Sequence, residues 1–238
     1  MGLSLTWVAI ASPVSTLDHE LLTVHMLKHL LLMTVAPPLI WLGEPVRALL
    51  HGLPQRFLQG VLGPTLQLLP VGRMHGQLGF CWLVAAAALV LWHVPAIFAL
   101  GMQSAAWHSV EQSSFLAAGL LFWWPVVQPW PSVPRPDLSM ILYLFFATLP
   151  CDILAGFLVF CDRAVYPVYS SSSHLLGLSV LGDQQCAAAL MWTCVTVVYL
   201  VAGAVLTVRL LSPQHAHIVE FAAKLRAPHS LEAFQHGD

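Results

Sequence analysis

Apolar residues run through this chain in blocks about 20 residues long, the length an α-helix needs to cross the hydrocarbon core of a bilayer. Four blocks meet it: Gly79–Gly101, Ala105–Gln128, Leu138–Cys161 and Gln184–Val208. A fifth, Val24–Gly43, is long enough but carries His25, Lys28 and His29 in its first turns. The N-terminal run Leu3–Pro13 is short for a span. It lacks the basic flank and small-residue cleavage site of a signal peptide, so it reads as a shortened first helix. Phe57–Pro70 is apolar but interrupted by Gly60, Gly63, Pro64 and Pro70, which predicts an interfacial or re-entrant segment. The pattern as a whole predicts an all-α, polytopic transmembrane bundle of about six helices with no large soluble domain. The bundle is expected over residues 1–211, and a cytoplasmic tail over residues 212–238.

Composition agrees with lipid as the solvent. The 238 residues are 58% hydrophobic and 8% charged, where a soluble domain carries about 25% charged residues. A net charge of −2 argues against nucleic acid, which calls for a basic footprint. The bilayer is the expected partner, and a homo-oligomer is left open. The five cysteines form no C-x-x-C pair, so a zinc ribbon or thioredoxin-like site is unsupported. Cys161 and Cys186 fall near one membrane face, but the sequence alone does not bring them together in a disulfide.

Charge bias gives the bundle a direction. Arg47, Arg56, Arg73, Arg135, Arg209, Lys224 and Arg226 fall on one side, seven of the nine basic residues. By the positive-inside rule that side is cytoplasmic, with both termini inside. The other side has Arg163, and Lys28 lies within a helix.

Titratable residues gather towards the outer side, where ionisable groups in a membrane mark candidate functional sites. His25 and His29 are four apart and share a helix face, with Lys28 beside them. His108 and Glu111, three apart, share another. Asp183 precedes the last span, and His93 lies deeper. Met26, Met33 and Met102 sit near the same side. Imidazole suits copper, zinc and iron, and thioether favours Cu(I). The candidate metal ligands are therefore His25, His29, His93, His108, Glu111, Asp183 and Met26. Against that stand plain readings: packed histidines, methionines as core filler, and Lys28 in an ion pair with Glu111 or Asp183. Asp152, mid-span after Pro150, reads as a proton relay, a neutral hydrogen-bonded acid or a poor match for Lys28. The tail histidines His215, His217, His229 and His236 are expected to be solvated. No nucleophile–base motif or phosphate loop points to an enzyme.

An ordered set of motifs resembles the CtaG family of cytochrome c oxidase assembly factors. It begins with His25-Met26-Leu27-Lys28-His29-Leu30-Leu31-Leu32, then Ala36-Pro37-Pro38-Leu39 and Gly43-Glu44-Pro45. Trp92-His93-Val94-Pro95 follows, then His108 with Glu111, then Phe122-Trp123-Trp124-Pro125. The last stretch is Asp183-Gln184-Gln185-Cys186-Ala187-Ala188-Ala189-Leu190-Met191-Trp192. Together they cover most of residues 12–210. Lys28 stands where the family usually has glutamine, and Ala188 where it usually has glycine. Lys28 puts a cation beside His25 and His29, which weakens a simple metal site there.

The resemblance implies a non-catalytic factor needed to build a haem–copper oxidase in the bacterial inner membrane. It implies copper as the handled metal and cytochrome c oxidase subunits as partners, with the work done at the outer face. The residues by themselves also allow a copper or other ion transporter, a b-type cytochrome with paired histidine ligands, or a scaffold whose polar groups only fix helix packing.

Overall fold

The computed structural model describes residues 1–11, 17–43, 74–127, 137–171 and 177–212. They form seven helices: α1 (Gly2–Ala11), α2 (Leu22–Leu42), α3 (Met74–Trp92), α4 (Pro95–Gln103), α5 (Ala105–Val127), α6 (Leu138–Phe160) and α7 (Val180–Leu211). A 3-10 turn spans Pro167–Ser171, and the described residues contain no strand. The expected all-helical membrane bundle is therefore what the chain builds.

The spans differ in detail from the hydropathy reading. Among the described residues, three helices are long and apolar enough to cross a membrane: α2, α6 and α7. The block Gly79–Gly101 is not one straight span. It breaks after Trp92, and α4 leaves α3 at 77°. Pro95 is the cause: it has no N–H to continue the helix, and it pushes Val94 into an extended conformation (φ −65°, ψ 125°). Counted as one span, this bent pair is a fourth. α5 has 23 residues, enough to cross, but its first turns carry His108, Glu111 and Gln112. α1 has 10 residues and is short, as the sequence implied. The segment Phe57–Pro70, the basic residues Arg47, Arg56, Arg73, Arg135, Lys224 and Arg226, and the tail beyond Ser212 lie outside the described residues.

α2 is the inner helix. Its first half packs on α7 and its second half on α5; α6 lies along α7, and α3 along α5 and α6. Half of the apolar window of α2 is buried, against 17% for α7. The outward faces of α6 and α7 show Ile153, Phe157, Phe160, Leu200 and Val208, apolar surface suited to lipid. At the end where α5 finishes, an aromatic core closes the bundle. Phe122 stacks on Tyr143 and Tyr199, with ring centroids 4.8 and 5.4 Å apart. The Tyr143 hydroxyl donates to the Phe122 carbonyl at 3.0 Å.

α2 is not uniform. Leu31–Val35 form a π turn in which the Ala36 N–H reaches the Leu31 carbonyl. Pro37 and Pro38 offer no N–H to the carbonyls of Met33 and Thr34, so the ordinary ladder fails here. The widened turn meets α5 at Gly119. A Cβ at that position would lie 2.5 Å from the Met33 carbonyl oxygen and 2.8 Å from the Pro37 ring. Only glycine lets the two helices come this close, and that contact sets the height of α5 against α2.

Candidate metal centre

His25 and His29 lie one turn apart in the first half of α2, and both are buried. Their rings meet edge to face with centroids 4.3 Å apart. Glu111 of α5 reaches between them. Its Oε1 is 3.4 Å from His25 Nε2 and 3.5 Å from His29 Nε2. Its Oε2 is 3.2 Å from His108 Nδ1. Two phenylalanines wall the group: Phe98 of α4 against His25, and Phe115 of α5 stacked on His29 at 4.1 Å. Glycine recurs here, since a Cβ at Gly101 of α4 would stand 3.0 Å from Glu111 Oε2.

These distances put ligand atoms together without joining them. Both ring nitrogens of His25 and of His29, His108 Nδ1 and both oxygens of Glu111 are buried with no hydrogen bond in the protein. Each buried, unsatisfied polar group costs about 1–3 kcal/mol. One ligand atom each from His25, His29 and Glu111 lies within 4.8 Å of the others. Two imidazoles and a carboxylate are donors that suit copper, zinc or iron. The residues therefore fit a metal ion, and a bound ion would satisfy several of these atoms at once.

A second group sits beside the first and closes its charges on itself through Asp18 Oδ2, leaving Oδ1 without a hydrogen bond. Asp18, in the turn before α2, accepts a hydrogen bond from the Lys28 ammonium through Oδ2. The same oxygen is 2.8 Å from His108 Nε2. Lys28 Nζ is 3.3 Å from that nitrogen. The Tyr169 hydroxyl donates to the Asp18 carbonyl at 2.7 Å. Burial of Asp18 opposes its ionisation, but hydrogen bonds from His108 and Lys28 and their charges outweigh it. The carboxyl is held well below the usual carboxylate range. Lys28 is thus spent on Asp18, and its charge is balanced rather than set against the two histidines. Asp18, His25 and His108 form a second cluster of ligand-type atoms within 4.8 Å.

The other sequence candidates separate. Asp183 of α7 serves the start of α2: its carboxylate accepts from the Leu22 N–H at 2.6 Å, the Thr23 N–H at 3.2 Å and the Thr23 hydroxyl at 2.6 Å. It caps, across the bundle, the N–H groups that a helix start leaves unpaired. Gln184 next to it accepts from the Val165 N–H and donates to the Leu158 and Arg163 carbonyls. His93 stands at the α3–α4 break. Its Nδ1 is 2.7 Å from the Leu89 carbonyl, and its Nε2 is 3.3 Å from Met26 Sδ. The Tyr166 hydroxyl donates to the His93 carbonyl, which the broken helix leaves without its usual partner. Asp152 of α6 has Oδ1 buried with no hydrogen bond, and belongs to neither cluster. All five cysteines are free.

Asp18, Tyr166 and Tyr169 were not singled out from the sequence. The signal for Asp18 was available: a lysine in an apolar helix needs a counter-charge, and Asp18 is an acidic residue ten positions before it.

The family of cytochrome c oxidase caa3 assembly factors matches the chain over residues 1–212. The chain belongs to that family. No curated protein and no solved structure matches it.

Proposed function

We propose that this assembly factor binds copper transiently and passes it to the copper centre of the oxidase at the outer face of the bacterial plasma membrane. One observation carries the reading: His25, His29 and Glu111 converge in the interior with their ligand atoms unpaired. Copper is cargo here, so the site has to release it. A three-donor set suits exchange better than a closed four-ligand cage of the structural kind. On the other side the His108 ring lies between two carboxylates, with Nε2 2.8 Å from Asp18 and Nδ1 3.2 Å from Glu111. The role is one of binding and transfer rather than catalysis.

Charge supports the orientation. Arg209 lies in the last turn of α7, and Asp183 in the first. The donors gather at the Asp183 end, so the positive-inside rule turns them outward. The b-type cytochrome reading loses support. His25 and His29 project from one helix with ring centroids 4.3 Å apart, closer than two imidazoles on opposite faces of one haem iron can lie.

The test joins metal analysis to oxidase assembly. Titrated with Cu(II), purified wild-type protein is expected to bind about one ion at the nitrogen and oxygen donors, and His25→Ala/His29→Ala to lose that ion, consistent with two of three ligands removed. In cells, deletion or the double variant should lower oxidase copper and activity, with partial rescue by added copper. Normal copper content in the oxidase of a deletion strain rules the reading out. If the variant accumulates normally and oxidase copper stays normal, the histidines serve packing alone. Copper flux into proteoliposomes above that of empty vesicles would favour a transporter instead.

A further inference from the structure

We propose that His93 and Met26 form a second, softer metal station, selective for Cu(I), inward of the His25–His29–Glu111 group. Two atoms carry it. His93 Nδ1 lies 2.7 Å from the Leu89 carbonyl. A carbonyl can only accept, so Nδ1 holds the proton and Nε2 of the neutral ring keeps its lone pair. That lone pair faces Met26 Sδ at 3.3 Å. A thioether has no proton to give. Two electron-pair donors thus point at each other between two buried side chains. As a hydrogen bond the contact gains nothing. As two arms of a binding site for a soft cation it makes chemical sense, because imidazole and thioether together favour Cu(I).

The surroundings point the same way. A cavity of about 40 Å³ opens beside the pair. Its wall includes Met26, His29, Met33, His93, Cys151 and Met191. Three of the chain's seven methionines and a cysteine therefore line one small space at the centre of the bundle. Methionine often serves as core filler. What distinguishes this place is the approach of Sδ to an imidazole nitrogen whose other nitrogen is already committed. The outer group, by contrast, offers nitrogen and oxygen only.

The backbone explains why His93 is placed here. The Pro95 break ends α3 at this residue, and Tyr166 takes up the carbonyl that the break frees. The Leu89 carbonyl holds the ring, and Tyr166 holds the backbone that carries it. His29 touches both stations: it is a member of the outer group and part of the cavity wall. Copper entering at the outer group has a soft-donor position one ring away. The inference deepens the copper reading and depends on it for its biological meaning, while its chemistry can be tested apart from the oxidase.

The experiment uses the full chain in detergent, titrated with Cu(I) against a Cu(I) chelator and, separately, with Co(II). Met26→Leu changes the sulfur for a side chain of similar volume, so the fold should persist. It is expected to weaken Cu(I) binding about tenfold or more, and to remove sulfur from the metal's X-ray absorption signature. Co(II) binding should stay within about twofold, since its preferred nitrogen and oxygen donors are untouched. His25→Ala/His29→Ala should do the reverse, losing Co(II) while Cu(I) bound through sulfur persists. Unchanged Cu(I) affinity in Met26→Leu, or a sulfur-free Cu(I) signature in wild type, overturns the inference and leaves the outer site standing. Normal oxidase copper in a deletion strain, with sulfur-bound Cu(I) intact in vitro, overturns the oxidase role alone.

Discussion

Two polar groups a few ångströms apart have met the cost of burial in opposite ways. Around Asp18, every charge has an answer: the carboxylate faces the Lys28 ammonium and the His108 ring, and Tyr169 ties down the backbone. Around Glu111, the carboxylate sits 3.4 and 3.5 Å from two imidazoles and hydrogen-bonds to neither. The first group balances its charges within the protein, although Asp18 Oδ1 has no hydrogen bond. The second has donors in place and no protein atom to satisfy them. Buried polar clusters that serve packing are normally satisfied. On the copper reading proposed above, the two groups do different work: Asp18 and its partners hold the helices, and His25, His29 and Glu111 take the ligand.

The largest effect is expected where the closed group is broken. Asp18→Ala leaves the Lys28 ammonium buried without its counter-charge and His108 facing Glu111 alone, and should cost about 3–5 kcal/mol of stability. Unfolding in mixed micelles by denaturing detergent measures it, and a loss under about 0.5 kcal/mol, the level of a neutral surface change, would show that the group is not closed after all. Acid should have a related effect. Because the folded-state carboxyl of Asp18 ionises below its usual range, its contribution is fully present above about pH 4 and is lost as pH falls below that. Asp18→Asn should lack this acid-sensitive part. A smaller change is expected from Asp183→Ala, which uncaps α2 and should cost about 1–2 kcal/mol. A drop as large as that for Asp18 would mean that Asp183 carries more than a helix start.

The smallest effect, and the sharpest for the comparison, comes from Glu111→Gln. In metal-free protein it should change stability by less than about 1 kcal/mol, since no hydrogen bond is lost. The same variant should lose the rise in melting temperature that copper gives the wild type, because only the native state binds the ion. A large loss of stability without metal would make Glu111 a structural partner of the histidines and erase the difference between the two groups.

Much of this was legible in the chain. Apolar blocks gave the helices to within a few residues, and helix spacing put His25 with His29 and His108 with Glu111. The convergence of those pairs follows from α5 packing against α2, and hydropathy has no register across helices. Asp18 escaped because it lies outside any apolar block, where an acid looks solvated. Asp183 was placed at the correct end, but its use as a cap depends on where α2 starts relative to α7. The break at His93 had a local cause in Pro95. An unbroken apolar run from Gly79 to Gly101 concealed it, because hydropathy scores the side chains and a helix stops at the backbone.

That break has a consequence for the lipid around it. The apolar part of α3, Leu78–Trp92, rises only about 22 Å at 1.5 Å per residue. The hydrocarbon core is about 30 Å thick. A rod that short is matched by local thinning of the bilayer or by polar flanks reaching out to it. Thinning at the break would bring the water boundary closer to His93. A metal ion arriving from that side would then meet less hydrocarbon than the rest of the bundle would put in its way.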